Sequence, residues 1–151
     1  LNVKVLYPDS IKGLEANEIN CLKRGIESNW SGVALKAGST NIIIINNSHS
    51  IARQESSIMH ELAHLICKHE MGEFQMLSDG LFLRNYNIDQ EKEAEWMGGS
   101  LQLPRLALYY HYEKYKLSIE EIAEKFNASI DMVRFRLNVC GIIRKRNSNF
   151  S

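Results

Sequence analysis

Only two prolines, Pro8 and Pro104, punctuate the 151 residues, and only three cysteines, Cys21, Cys67 and Cys140, are spread along them. An odd number of cysteines without paired spacing excludes a disulfide framework and points to a reducing compartment. Long apolar runs are missing too. The longest aliphatic stretch, Ile42 to Ile45, is far too short for a signal sequence or a membrane span, so a soluble cytoplasmic chain with no membrane partner is expected. Charge of one sign is also lacking, with 18 Lys and Arg against 18 Asp and Glu, which removes any global field drawing the chain to nucleic acid. The balance conceals a split: residues 1–104 carry 9 basic and 13 acidic side chains, and 105–151 carry 9 and 5. There are no repeats and no low-complexity stretches, and 44% hydrophobic with 24% charged residues is an ordinary globular composition for one domain. The chain begins at Leu1 rather than methionine, so an N-terminal segment is expected to precede it.

Apolar and charged residues alternate at helical spacing over 11–29, which predicts one helix before the turn-rich Asn29-Trp30-Ser31-Gly32. The β-branched run from Asn41 to Asn46 reads as a buried strand with Val33–Lys36 as its hairpin partner. A long amphipathic helix is predicted from a cap at Ser50 to about His69, uninterrupted by glycine or proline. Residues 77–88 read as an irregular loop, and a second helix is predicted from a cap at Asp89 to Pro104. The order of helix, small sheet and further helices defines an α+β fold: a core over 1–104 and a helical extension over 105–151.

The long helix carries His60-Glu61-Leu62-Ala63-His64. Residues four apart stand about 40° apart around a helix and about 6 Å along it, so both imidazoles can reach one ion. Glu61 is offset by roughly 100°, beside such an ion, where a general base must stand. This is the spacing of the zinc-hydrolase helix motif, and a catalytic zinc takes a third protein ligand. Glu70 falls about 240° around from His64, on the wrong face, and Cys67 about 300° around, which suits a small buried residue. His69 is expected at a solvated helix end, where a cation suits the dipole. On the next helix Glu91 lies about 70° from the centre of the apolar face formed by Ala94, Met97, Gly98 and Leu101. Glu93 and Glu95 lie farther off, at roughly 90° and 110°, so Glu91 is the geometric choice, although acids also suit a first helical turn for the dipole alone.

His60-Glu61-Leu62-Ala63-His64 followed by Glu91-x-x-Ala94-x-x-x-x-x-x-Leu101-x-x-Pro104 strongly resembles the ImmA/IrrE family of metallopeptidases over residues 30 to 140 or so. The resemblance implies a zincin-like small sheet packed on the motif helix, with Glu91 as third ligand to Zn2+ beside His60 and His64. It also implies Glu61 as the catalytic base and a gluzincin-like ligand set, and a site of nitrogens and carboxylate can take Mn2+ as the alternative metal. Members of the family cut helix-turn-helix repressors, so the implied partner is a co-encoded repressor of a mobile element or stress response. Arg53 resembles a basic position at the start of this helix in the family. Glu95, Gly98-Gly99 and Ser56 depart from the usual asparagine, alanines and aromatic, which bears on the surroundings of the metal and on the substrate groove.

No residue identifies the donor that would stabilise an oxyanion. Tyr86, Tyr109, Tyr110 and His111 are candidates by type only, and aromatic packing is their ordinary role. A peptide groove is expected between the loop from Met71 to Ile88 and the edge of the sheet that holds Ile42–Ile45, the substrate pairing as an added strand. In the last third, Ser118-Ile-Glu-Glu121 is a capping box, and Ser129 caps a further helix with Ile130, Val133 and Leu137 on one side. The pair reads as helix-turn-helix-like, with Arg134, Arg136 and Asn138 available and Arg144-Lys145-Arg146 behind. That supports a rival expectation: a DNA-binding regulatory module whose metal site is structural or vestigial. The second helix offers few side chains for base edges, so a structural extension is the simpler reading.

Overall fold

The β-branched run becomes the middle strand of a sheet. In the computed structural model, which describes residues 1–23, 30–70, 74–76, 82–84 and 87–143, three strands align in the order β1-β3-β2: β1 (Val3–Leu6), β2 (Gly32–Ala37) and β3 (Thr40–Ile45). β3 pairs parallel with β1 and antiparallel with β2. The β2–β3 hairpin closes through two residues, and Gly38 supplies the positive φ of 60° that such a tight turn needs. Ile43 and Ile45, two apart and hence on one face, are fully buried with Ala34 and Leu65.

Helix α1 (Ala16–Leu22) starts later than its periodicity predicts. Gly13 takes a φ of 96°, which is not helical, and the Glu15 N–H donates to the Glu18 carboxylate at 2.8 Å, a cap that marks the start. Residues 24–29 of the predicted helix lie outside the described residues. Ahead of it, Lys23 and then Asn47 hydrogen-bond the Asp9 carboxylate and hold its pKa below the ordinary value.

Helix α2 (Ile51–Cys67) is capped by the Ser50 hydroxyl, which accepts from the Arg53 N–H, and it lays Leu65, with Ile58 and Leu62 beside it, on the sheet. Residues 74–76 and 82–84 pair as antiparallel strands β4 (Phe74–Met76) and β5 (Phe82–Arg84). The expectation of an irregular loop over 77–88 is therefore wrong at 82–84, where local pairing supplies order that apolar periodicity does not signal. Helix α3 (Ile88–Gln102) is capped by Asn87, whose side-chain oxygen accepts from the N–H groups of Asp89 and Gln90. Asp89, the expected cap, sits in the first turn instead, where its charge still suits the helix dipole.

Helix α4 (Arg105–Tyr109) follows Pro104 and leads into a π-helical turn at Tyr110–Lys114. Then come α5 (Ile119–Lys125), with the Ser118/Glu121 capping box, and α6 (Ile130–Val139), capped by Ser129. A second apolar cluster joins Leu103 and Leu108 to Ile122, Val133 and Leu137. Arg136, expected to be available on α6, is 5% exposed, and its guanidinium donates to the Leu103 carbonyl at 3.3 Å at the end of α3. Arg134 is exposed and pairs with Asp131. Residues 144–146, the basic stretch behind α6, lie outside the described residues. Among the described residues no helix is long and apolar enough to cross a membrane.

The contact that positions the site is α3 against α2. A Cβ at Gly98 would stand 3.0 Å from the His60 backbone nitrogen and 3.1 Å from its Cα, whereas one at Gly99 would meet the flexible Arg136 side chain at 3.4 Å. Alanine gains about 1 kcal/mol of helix propensity over glycine at either position, but overpacking against rigid backbone costs about 1–3 kcal/mol. Gly99→Ala should therefore raise the urea midpoint and Gly98→Ala should lower it, both at unchanged slope. Equal midpoints for the two variants would show that the helices do not meet as closely as described.

Candidate metal centre

α2 brings His60 and His64 to one side, and the α3 crossing delivers Glu91 opposite them. The Nε2 atoms of His60 and His64 are 3.0 Å apart, Glu91 Oε2 is 3.1 Å from His60 Nε2, and Glu91 Oε1 is 3.5 Å from His64 Nε2. Donors about 2.0–2.2 Å from a tetrahedral zinc stand roughly 3.3–3.5 Å from one another, so a widening of a few tenths of an ångström between His60 and its two neighbours would make these spacings those of a ligand set. The chemistry agrees, because two imidazole nitrogens and a carboxylate oxygen are borderline donors suited to zinc and acceptable to manganese. The three residues predicted from spacing and resemblance are thus brought together as a group able to hold a metal ion.

Glu61, next to His60 on α2, is tied to the sheet. It is 4% exposed, and its Oε2 accepts the backbone N–H of Ala34 at 2.9 Å. Among the described residues β2 has β3 on one side only, so this N–H faces the other edge of the strand, and the carboxylate is held where that edge meets α2. Gly32 makes room for it: a Cβ there would stand 3.3 Å from Glu61 Cγ and 2.8 Å from Ile45 Cδ1. Arg53 secures the same junction, its guanidinium donating to the Ser31 hydroxyl at 2.9 and 3.2 Å. The expected groove needs one refinement. Ile42–Ile45 lie in the central strand, so among the described residues the sheet edge beside Glu61 belongs to β2, while residues 71–88 fall largely outside the described residues.

His69 is the residue that sequence reasoning misplaced. Its side chain is 5% exposed rather than solvated. Lys68 adopts a left-handed φ of 57° and ends α2, and the His69 N–H bonds the His64 carbonyl at 3.0 Å. The turn returns the His69 ring onto His64, Nδ1 to Nδ1 at 2.9 Å, and its Nε2 lies 3.1 Å from Glu93 Oε2. One consistent hydrogen pattern runs along this chain: His69 donates through Nε2 to Glu93 and accepts through Nδ1 from His64. That leaves the His64 Nε2 lone pair facing Glu91 and His60. Partial burial and then the neighbouring Glu93 carboxylate push the Cys67 thiol above its ordinary pKa, so near neutral pH the sulfur keeps its proton and donates it to Glu93.

Glu70 is exposed. Tyr109 and Tyr110 stack edge to face on each other, and His111 packs on Tyr115 and Phe126 while its Nδ1 bonds the Ala107 carbonyl. These contacts give the three an aromatic-packing role. Tyr86 lies outside the described residues.

Residues 19–138, well over half of the chain, match the peptidase family model described as the IrrE N-terminal-like domain. No curated protein and no solved structure matches the chain.

The Glu61–Ala34 bond makes a stability prediction separate from any chemistry. Glu61→Ala leaves the Ala34 N–H buried without this acceptor and should cost about 1–3 kcal/mol. Glu61→Gln keeps an oxygen there and should stay within about 1 kcal/mol of the parent. Urea unfolding measures both, and equal losses would contradict the bond.

Proposed function

The chain belongs to the IrrE N-terminal-like peptidase family, and from that premise we propose that it is a zinc-dependent endopeptidase that cleaves a co-encoded helix-turn-helix repressor in the cytoplasm. The family supports a metallopeptidase-like role. The observation that carries the finer reading is the convergence of His60 Nε2, His64 Nε2 and the Glu91 carboxylate one residue away from a buried glutamate fixed by backbone. In this reading His60, His64 and Glu91 hold the cation, with manganese as the alternative metal. A divalent ion bound there supplies Lewis acidity, polarising the scissile carbonyl and acidifying a water.

The rest falls to the chain's own side chains. Glu61 accepts the proton of the attacking water and returns it to the leaving amine nitrogen as the C–N bond breaks and the new C–O bond forms. Its tie to Ala34 keeps the carboxylate at one orientation through both transfers. The substrate backbone is positioned by addition to the edge of β2, where Gly32 and Lys36 direct N–H groups outward on either side of the Ala34 N–H that Glu61 holds. The burial of Arg136 weakens the rival DNA-binding reading, which needs that arginine on the surface.

Purified protein should hold about one metal per chain at His60, His64 and Glu91, and a His60→Ala, His64→Ala double variant should hold none at that centre. Glu61→Gln should keep metal and fold but lose at least about 100-fold in turnover, because an amide cannot accept the proton. Incubation with the co-encoded repressor, with and without chelator, is read by intact mass. Metal-dependent, Glu61-dependent cleavage is expected. Chelator-independent cleavage would overturn the proposal, as would no cleavage together with tight, sequence-selective, salt-sensitive DNA binding.

Proline scanning of a cleaved peptide tests the added strand. Cutting should disappear at the positions whose N–H groups enter the ladder with β2 and persist where they point away. Uniform tolerance of proline would remove strand addition from the mechanism.

A further inference from the structure

A second set of donors lies just beyond the first along α2. The left-handed turn at Lys68 folds His69 back beside Cys67, and Glu93, two residues after Glu91 on α3, meets them both. Cys67 Sγ, a His69 ring nitrogen and a Glu93 oxygen all lie within 4.8 Å of one another. Among the described residues, this trio and His60/His64/Glu91 are the groups of three such donors that converge. Thiolate, imidazole and carboxylate around one tetrahedral ion would stand roughly 3.3–3.8 Å apart, so closing the trio requires side-chain movement of about an ångström. Glu93, with its side chain 64% exposed, opens the cluster to solvent, while His69 at 5% is held in place.

We propose that Cys67, His69 and Glu93 form a second binding site for a thiophilic divalent cation, zinc foremost, and that filling it opposes filling of the His60/His64/Glu91 centre. The sulfur selects against magnesium and calcium, which prefer all-oxygen shells. Binding releases the thiol proton to solvent. The opposition follows from the His64–His69 contact. An imidazole that ligates through Nε2 and remains neutral carries its one ring hydrogen on Nδ1. His64 ligating the first ion therefore directs an Nδ1 hydrogen at His69, and His69 ligating the second directs one back, across 2.9 Å. Two hydrogens cannot occupy that space, so one ring must turn or give up its ligand. Zinc in excess would thus weaken the peptidase centre from a second set of ligands. Only this antagonism rests on the metal-centre reading; the second site stands on its own donors.

Titration of the full chain with cobalt(II), a spectroscopic stand-in for zinc, tests both parts. Wild type should take up two equivalents, with thiolate-to-cobalt absorption arriving with the second. Cys67→Ser should lose that absorption and the second equivalent while keeping the first, and Glu93→Gln, a change at an exposed position, should lose the second as well. Absence of the band in wild type, or its survival in Cys67→Ser, overturns the second site. His60→Ala disables the first centre and should bind cobalt through Cys67 about tenfold tighter than wild type with its first centre filled. Equal affinity overturns the antagonism. Two full equivalents in His60→Ala would instead count against the His60/His64/Glu91 reading and leave the cysteine site standing.

Discussion

Everything at the site depends on how closely α3 lies on α2. The histidines are two points on one helix, and a helix alone supplies no third ligand on their side. Glu91 is delivered by a neighbour whose Gly98 touches the backbone of His60 with no room for a side chain. Widening that crossing would carry the Glu91 backbone away from His60, whose Nε2 now stands 3.1 Å from the Glu91 carboxylate. Glycine in a helix interior costs about 1 kcal/mol relative to alanine, and at Gly98 that loss is offset by the approach it permits. Gly99 has no such tight backbone neighbour, and nothing in the structure explains why it is not alanine.

The crossing also determines how the two helices share their polar groups. Glu91 and Glu93 are separated by a single residue on α3, yet each finds a histidine on or just beyond α2: His60 for Glu91, His69 for Glu93. The two histidine–carboxylate pairs are joined through His64, which is 4% exposed. A buried imidazole has only two nitrogens to satisfy, and here one faces the ligand group while the other faces His69. The tautomer of His64 is therefore set from behind, by a residue that is itself anchored to Glu93. Ordering of the ligand group and of its support is one cooperative hydrogen-bond arrangement rather than two independent ones.

Much of this was legible in the residues. Four-residue spacing of His60 and His64 on a helix without proline or glycine is a local property, and local periodicity survives folding. Ile42–Ile45 as a buried strand, and the capping box at Ser118, were legible for the same reason. His69 was not, because its position depends on the left-handed conformation of Lys68. Glycine or asparagine would announce such a turn, but lysine there gives no sign of it. The β5 strand was hidden because three residues paired to three others carry no periodicity of their own. Arg136 misled because arginine is an exposed residue by default, and only tertiary structure brings the Leu103 carbonyl to its guanidinium.

The position of Glu61 joins two functions that a sequence would treat as separate. In the proposed mechanism the strand edge that receives a peptide is also the anchor of the residue assigned as base, through the Ala34 N–H. A peptide added to β2 would find that donor already engaged, with Gly32 and Lys36 supplying the outward N–H groups on either side. Its ladder would therefore be interrupted opposite Ala34. The interruption has a use, because a scissile bond must face catalytic groups rather than be locked into strand pairing. Any shift of β2 on accepting a substrate would also be carried to the Glu61 carboxylate through a single 2.9 Å bond. Under that mechanism binding at the edge and orientation of the base would be mechanically linked, and Gly32, packed against Glu61 Cγ with no side chain to intervene, would keep that link short.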